Sequence, residues 1–270
     1  MYMATHLLRN HRFSELVREF IIFGLKQARA CVFAGSFFVL LFLSNHIPLG
    51  PIARYDFLFG AAVIIQIILY LTKIETKDEV KTIVVFHLIG LALELFKTSP
   101  QIAAWSYPEP AFFKIATVPL FSGFMYAAVG SYIAQAWKQM HLRLSNYSFY
   151  KPSIILCVLI YINFFTDGFF YDFRWILIIL VFLIFARTKV YFTVTDHEHS
   201  MPLAVSFLLI AFFIWIAENI STFYGAWQYP DQIHVWNVVS TQKITSWFLL
   251  VIISFILIAN LKHYKEVRRK

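Results

Sequence analysis

Long apolar runs separated by short polar segments form the dominant pattern of this chain. A helix needs about 20 residues to cross the hydrocarbon core of a bilayer, and fewer where polar side chains at its ends reach the interface. The pattern therefore predicts an all-α polytopic membrane protein with about eight transmembrane helices. The predicted spans cover residues 30–46, 57–73, 82–98, 115–137, 153–168, 173–187, 202–221 and 244–261. The fifth and sixth spans are the shortest, so whether they cross the bilayer completely is left open.

The distribution of basic residues supports eight spans and indicates their orientation. With the N-terminus in the cytoplasm, 18 of the 23 Lys and Arg residues fall in segments on the inner side. The five on the outer side are Arg54, Lys97, Lys114, Arg174 and Lys243. Cytoplasmic loops of membrane proteins carry such an excess of Lys and Arg. We therefore expect both termini in the cytoplasm of a multi-pass protein of the cell (inner) membrane.

Four regions follow from this topology. An N-terminal cytoplasmic segment, 1–29, precedes a first four-helix half, 30–151, a second half, 152–261, and a basic cytoplasmic tail, 262–270. Within the first segment an apolar stripe recurs at helical spacing, made of Phe13, Leu16, Val17, Phe20 and Ile21. The stripe predicts an amphipathic helix in the inner interface, near anionic lipid. The alternative is a helix that packs on cytoplasmic loops.

The composition narrows the classes of function. Hydrophobic residues make up 60% of the chain and charged residues 14%, against about 45–50% and about 25% in soluble domains. The formal charge of +8 comes from short basic tracts that act as topology signals, so no nucleic-acid partner is predicted. Cys31 and Cys157 both lie in apolar runs, which excludes a disulfide framework. Asp196–His199 is one short cluster without a second ligand pair, so neither a metal nor another cofactor is predicted.

One short motif occurs twice. Trp105–Glu109 (Trp-Ser-Tyr-Pro-Glu) and Trp227–Asp231 (Trp-Gln-Tyr-Pro-Asp) lie 122 positions apart. Each follows an apolar span that carries a carboxylate, Glu94 or Glu218, and the predicted topology places both copies on the outer face. The repetition predicts two parallel four-helix repeats, related by an axis near the membrane normal, with a site shared between them.

Ionisable residues on the predicted spans are the candidates for chemistry. His87, Glu94 and Lys97 lie on one face of the third span, since steps of three and seven residues return to the same helix face. A charged side chain at the centre of a lipid-facing helix costs at least about 2.5–3.5 kcal/mol, so these side chains should face the bundle interior. We predict Glu94 as a catalytic acid, His87 as its partner and Glu218 as a second carboxylate. The alternative is an interhelical hydrogen bond that only fixes packing.

Polar and aromatic residues near these carboxylates are the predicted ligand-binding set. The motif residues cap the proposed pocket, Asn219 follows Glu218 directly, and Ser122 and Tyr126 lie on one row of the fourth span. The complete set is Lys97, Trp105, Tyr107, Ser122, Tyr126, Asn219, Trp227 and Tyr229.

These residues also resemble a known family. The stretch from His87 to the Trp105 motif, Pro119–Tyr126, Ala217–Asn219 and Ser246–Phe248 are similar to the YoaT-like family of uncharacterised bacterial integral membrane proteins. The resemblance runs over most of the chain and implies a membrane fold and location, but no activity. A membrane carboxylate before a Trp-x-Tyr turn also resembles the small, repeated carotenoid lycopene cyclases, although their Pro-Glu-Glu-like element is absent as such.

Three functions are compatible with this pattern. The first is a membrane protein that binds or processes a lipid or isoprenoid-like hydrophobic small molecule, with Glu94 protonating an olefin and aromatic faces stabilising the cation. The second is a proton- or cation-coupled small-molecule transporter whose repeats rock around the two carboxylates. The third is a structural membrane protein without a ligand. Membrane lipids are the expected partners, and the pattern does not indicate an oligomeric state.

Overall fold

The computed structural model describes the backbone of residues 2–147, 150–166 and 168–269, and the side chains of 14–147, 151–166 and 168–262. The predicted basic tail, 262–270, is therefore described almost only as backbone. At the beginning of the predicted N-terminal segment, the side chains of residues 1–13 are likewise outside the described part, and Phe13 of the apolar stripe is among them.

The described chain is mostly helical, as predicted. Its α-helices are α1 (Tyr2–Ala30), α2 (Val32–His46), α3 (Arg54–Leu71), α4 (Lys77–Lys97), α5 (Gly123–Gln139), α6 (Tyr150–Thr166), α7 (Arg174–Phe185), α8 (Leu203–Phe223) and α9 (Lys243–Arg269). Helices α2 to α9 overlap the eight predicted apolar runs one for one. Within the described residues, α3, α8 and the first 20 residues of α9 are long and apolar enough to cross a membrane. The bent pair α1–α2 can supply a fourth span, whereas α6 and α7 are apolar but shorter.

The fourth span, predicted over residues 115–137, begins later in the structure than predicted. Lys114–Ile115 (β1) and Val118–Pro119 (β2) pair as a short antiparallel hairpin, and a single 3₁₀ turn over Leu120–Ser122 leads into α5. Proline lacks a backbone N–H and its ring clashes with the preceding helical turn, so Pro119 cannot lie inside a regular helix. The helix therefore begins only at Gly123.

A small sheet forms at the opposite end of α5, and the prediction of an all-α chain missed it. Its strands are β3 (Arg143–Ser145), β4 (Lys189–Thr193) and β5 (Glu198–Pro202), in the antiparallel order β3-β4-β5. They lie in the connections before α6 and before α8. Strands of three to five residues are too short for an alternating pattern to stand out against the long apolar runs. We call this end of the bundle the sheet end.

The turns that carry the repeated motif lie at the other end, which we call the motif end. Helices α4 and α8 run towards it and finish at Lys97 and Phe223. The start of α4 at the sheet end is set by a capping box, in which Thr76 accepts from the Glu79 backbone N–H and the Glu79 side chain accepts from the Thr76 N–H. Consequently α4 connects the two ends of the bundle.

Helix α1 packs one of its faces against the sheet end. Phe23 contacts Phe192 of β4 with ring centroids 5.9 Å apart, and Gln27 accepts a hydrogen bond from Tyr132 (2.8 Å). The four described residues of the predicted apolar stripe, Leu16, Val17, Phe20 and Ile21, are exposed, and the Phe20 side chain most of all at 77%. An interfacial helix requires this orientation, and its position in the membrane interface stays a prediction.

Close contact between α4 and α5 depends on glycine. A Cβ atom at Gly90 would lie 2.4 Å from the ring of Tyr126, and one at Gly130 would lie 2.4 Å from the ring of Phe86. At Gly123 the neighbour is His87, at 2.7 Å. Small residues at such contacts allow the backbones of two helices to approach closely in a membrane.

We expect Gly90→Ala to lower the free energy of unfolding by about 1–3 kcal/mol, because the added methyl group displaces the Tyr126 ring from a packed position. Gly60→Ala in α3 is the matched control, since a Cβ atom there meets no other side chain or loop atom within 4 Å. Thermal unfolding of the purified protein in detergent measures both. Equal unfolding temperatures for the two variants would contradict the packing described here.

Candidate functional site

The two copies of the motif are joined by their backbones. The Ser106 N–H donates to the Gln228 carbonyl oxygen (2.9 Å), and the Gln228 N–H donates to the Ser106 carbonyl oxygen (3.0 Å). These two residues occupy the same position in the two motifs, between the Trp and the Tyr. The turns therefore lie side by side at one end of the bundle.

Glu94 lies beneath these turns, on the last full turn of α4, and is only 2% exposed. Its Oε2 atom accepts hydrogen bonds from Trp105 Nε1 and from the Tyr107 hydroxyl, both at 2.8 Å. Its Oε1 atom accepts from the Tyr126 hydroxyl at 2.7 Å. Three donors and no acceptor around one carboxyl group suit its ionised form, which can only accept hydrogen bonds.

Glu218 on α8 has a matching environment and is 4% exposed. Its Oε1 atom accepts from the Tyr229 hydroxyl (2.5 Å) and its Oε2 atom accepts from Trp247 Nε1 (2.8 Å). Each motif thus uses its Tyr to bind the carboxylate of the helix that precedes it.

A cavity of about 200 Å³ lies between the two carboxylates at the motif end. About 10–15 Å³ of such space is needed to hold one water molecule, so this cavity has room for a small organic molecule. Its lining combines charged, aromatic and aliphatic side chains, among them Glu94, Lys97, Trp105, Tyr126, Phe164, Arg174, Glu218, Trp227, Tyr229, Lys243 and Trp247.

Lys243 is held over aromatic faces within this cavity. Its Nζ atom lies 4.4 Å from the centre of the Tyr229 ring and 5.4 Å from that of the Trp105 ring. An ammonium group over an aromatic face is attracted by the negative charge at the centre of the ring. This contact links the first residue of α9 to both motifs.

Of the predicted site residues, Glu94, Glu218, Lys97, Trp105, Tyr126, Trp227 and Tyr229 line the cavity, and Tyr107 lies directly behind it as a donor to Glu94. Three others lie outside its lining. His87 contacts the ring of Phe124 (4.5 Å), and Ser122 is fully buried. Asn219 donates to the Trp215 carbonyl oxygen (2.8 Å) and accepts from the Val239 N–H (2.9 Å), so it anchors the loop before α9.

Arg174, Lys243 and Trp247 were not among the predicted site residues, although all three line the cavity. In the sequence the two cations stand out only as topology signals. The sequence did contain a signal near Trp247. Its neighbour Ser246 follows Ser122 by 124 residues, the same offset that separates Glu218 from Glu94.

The acids that end the two motifs differ in their environments. Glu109 accepts from Arg54 Nη1 at 2.6 Å, and the same guanidinium donates to the Tyr224 and Gly225 carbonyl oxygens. Arg54 therefore ties the first motif to the end of α8. Asp231, in contrast, is exposed.

A second buried polar cluster lies at the sheet end, among residues that are not part of the predicted site. Glu79 accepts from Lys138 (2.5 Å) and Lys262 (2.7 Å). Burial alone would raise the pKa of Glu79, but these hydrogen bonds outweigh it and lower the pKa to about 2. Glu75 accepts from Ser131 and from Gln66, and burial raises the pKa of Glu75.

With its fold and cavity, the chain is a helical, membrane-type protein with paired carboxylates at one end. It belongs to the family "Protein of unknown function (DUF817)", whose model matches residues 19–255. The "Uncharacterized protein YoaT" of Bacillus subtilis (strain 168) is 47% identical over 250 residues, which cover 93% of this chain and 94% of that protein. The predicted family resemblance is thus confirmed. The likeness to lycopene cyclases is not shown, and no solved structure matches the chain.

We expect Tyr107→Phe and Tyr229→Phe each to lower the free energy of unfolding by about 1–3 kcal/mol, because each removes a hydrogen bond to a buried carboxylate. Tyr70→Phe is the control, since Tyr70 is exposed on α3. Unfolding of the purified proteins in detergent, followed by near-ultraviolet circular dichroism, gives the comparison. Wild-type stability of both site variants would show that the hydroxyl groups do not hold the carboxylates.

Proposed function

We propose that this protein is an eight-span protein of the cell membrane that binds a small amphipathic molecule in the cavity between Glu94 and Glu218. The motif end faces outwards, both termini are cytoplasmic, and the chain consists of two parallel four-helix repeats. The observation that carries the proposal is the backbone pairing of Ser106 with Gln228, which brings both motifs and both carboxylates around one cavity.

The pattern of helix contacts supports the repeat. In the first half α2 contacts α3 and α5, α3 contacts α4, and α4 contacts α5. The corresponding pairs of the second half also touch, namely α6 with α7 and α9, α7 with α8, and α8 with α9. Halves built alike and side by side produce a central site at their interface.

The geometry of α1 supports the orientation. The part of α1 whose side chains are described, Ser14–Ala30, makes an angle of 71° with α2. If α2 crosses the bilayer, α1 then runs close to the membrane plane, with its exposed apolar stripe towards the lipid. The sheet end beside α1 is the cytoplasmic side in this arrangement, which agrees with the distribution of basic residues.

Binding explains the cavity better than packing does. Two buried carboxylates are costly in a membrane protein, and interhelical hydrogen bonds alone contribute only about 0.6 kcal/mol each on average. A purely structural pair would be expected to close around its partners, whereas Glu94 and Glu218 border about 200 Å³ of open space. The three donors on Glu94 favour a role in orienting the ligand over the role of a catalytic acid, and His87 lies apart from it.

A carrier is the second candidate, and the sheet-end cluster favours it. Helix α4 begins at the Glu79 ion pairs with Lys138 and Lys262 and reaches Glu94 near its other end. Ion pairs that tie α4, α5 and α9 together would close the cytoplasmic side of a path that opens at the motif end. In a carrier these pairs would break when the repeats move.

Glu94→Gln and Glu218→Gln test the binding function. Each change removes a charge from the cavity while keeping the shape of the side chain. We expect a small molecule to be retained by the wild-type protein through purification in detergent and to be depleted at least tenfold in both variants. Mass spectrometry of organic-solvent extracts measures it.

Asp231→Asn is the control, because this exposed motif acid lies outside the cavity lining and should retain the molecule. Identical extracts from the wild-type protein and both Gln variants would remove the support for a ligand. Flux of the identified molecule into proteoliposomes then separates a carrier from a protein that only binds.

The orientation has its own test in a background where Cys31 and Cys157 are replaced by Ser. We expect Thr241→Cys, in the loop before α9, to react in intact cells with a maleimide that cannot cross membranes. Lys73→Cys, between α3 and α4, should react only after the membrane is opened, because it lies at the sheet end. Both positions are exposed. Labelling of the two from the same side would contradict the proposed topology.

A further inference from the structure

The two carboxylates at the motif-end cavity have hydrogen-bonding capacity to spare. An ionised carboxylate can accept about four hydrogen bonds, two at each oxygen. Glu94 accepts two at Oε2 and one at Oε1, and Glu218 accepts one at each oxygen. The described residues therefore leave one acceptor position on Glu94 and two on Glu218 unfilled. Because both side chains line the cavity, these positions suit a ligand that donates several hydrogen bonds.

The charges around the cavity balance among the described residues. Its lining contains the carboxylates Glu94 and Glu218. A third carboxylate, Asp172, pairs with Arg174 of the lining at 3.1 Å. Three cations stand against these three carboxylates, namely Lys97, Arg174 and Lys243. A buried ion is costly unless an opposite charge compensates it, so a cavity without net charge favours an uncharged ligand over an anion or a cation.

A donor without a partner accompanies these acceptors. Arg174 pairs with Asp172 through Nη2 and donates to Thr245 through Nη1, whereas its buried Nε atom has no hydrogen-bond partner among the described residues. Buried donors in folded proteins almost always have an acceptor. A hydroxyl group can donate to a carboxylate and also accept from an N–H group, whereas an ammonium group only donates and a carboxylate only accepts. Hydroxyl groups therefore match both kinds of unused hydrogen-bonding group.

An indole ring lies beside each carboxylate. Trp105 donates its Nε1–H to Glu94 at 2.8 Å. Trp247 donates its Nε1–H to Glu218 at the same distance of 2.8 Å, and both indole rings line the cavity. The face of an aromatic ring is negative and attracts the weakly positive C–H groups of a sugar ring. A carboxylate next to an aromatic ring thus suits a ring that carries hydroxyl groups on its edge and C–H groups on its face.

Apolar side chains also border the cavity and continue beyond it. Its lining includes Leu93, Phe164 and Leu250. A second cavity of about 20 Å³ lies among α4, α5 and α9 and shares Tyr126, Trp247 and Leu250 with the first. Apart from Ser254, its other lining residues are apolar, namely Phe86, Ile89, Val129, Val251 and Ile253. These surroundings suit a ligand whose polar part is attached to an apolar chain.

We propose that the ligand of the cavity is an uncharged amphiphile with a polyhydroxylated headgroup, such as a sugar ring, on an apolar chain. The inference rests on the proposed binding function and names its ligand class. Hydroxyl groups of the headgroup donate to Glu94 and Glu218, and the ring packs on Trp105 and Trp247. The apolar chain packs beside Leu250, which borders both cavities.

Probes that share one short chain test the headgroup. The protein is purified in a detergent without a sugar headgroup and placed in phosphatidylcholine nanodiscs. Tryptophan fluorescence reports binding there, because Trp105, Trp227 and Trp247 line the cavity. We expect hexyl glucoside to bind saturably, and its tetra-O-methyl derivative, which keeps the ring but cannot donate hydrogen bonds, to bind at least tenfold more weakly. Hexanol, hexylamine, hexanoate and free glucose should also bind at least tenfold more weakly.

Glu94→Gln and Glu218→Gln should each raise the Kd for hexyl glucoside at least tenfold, because an amide oxygen is a weaker acceptor than a carboxylate oxygen. Asp231→Asn removes the same charge at an exposed position outside the lining and should leave the Kd unchanged. Wild-type affinity in both Gln variants would overturn the inference. So would equal affinity of the wild-type protein for hexyl glucoside and any other probe, a comparison that needs no variant to fold.

The outcomes also distinguish this inference from the proposed function. Tighter binding of hexylamine or hexanol than of hexyl glucoside, abolished by Glu94→Gln, would refute the hydroxylated headgroup but keep the binding site. Failure of hexyl glucoside to bind, while solvent extracts of the wild-type protein hold a molecule that the Gln variants lose, would do the same. Failure of every probe, together with unchanged extracts from the Gln variants, would refute both.

Discussion

A carboxylate buried among apolar helices must be given hydrogen-bond donors, and this requirement organises the motif end of the molecule. Glu94 and Glu218 lie near the ends of α4 and α8. The turns that follow supply donors through Tyr107 and Tyr229 of the two motifs, and α5 and α9 supply Tyr126 and Trp247. Once each turn is held to its carboxylate, Ser106 and Gln228 can pair, and both motifs then border one cavity.

The two ends of the bundle hold their carboxylates in different ways. At the motif end Trp and Tyr side chains donate to the two carboxylates, which border a cavity. At the sheet end Glu79 is held directly by Lys138 and Lys262, in closed ion pairs. The cavity thus lies at the motif end, whereas direct Lys–Glu ion pairs hold the helices together at the sheet end.

The helices could be predicted from the sequence, because eight apolar runs are a strong signal and each coincides with a helix. The carboxylates and motif residues of the site were also predictable, since a repeat points to equivalent positions. The strands were not, because β1 to β5 have two to five residues each. Arg174 and Lys243 were missed for a different reason: their convergence arises only when α7 and α9 are brought beside α4.

The central claim is that the two motif turns meet beside a single site, and a disulfide tests it most directly. Mutually hydrogen-bonded residues of an antiparallel pair have Cα atoms about 5.5 Å apart, a distance that a disulfide spans. With Cys31 and Cys157 replaced by Ser, Ser106→Cys and Gln228→Cys should cross-link within one chain in native membranes under mild oxidation. Migration of the oxidised monomer in electrophoresis, before and after reduction, detects it. A pair that stays reduced, or that cross-links only between chains, would contradict a shared site.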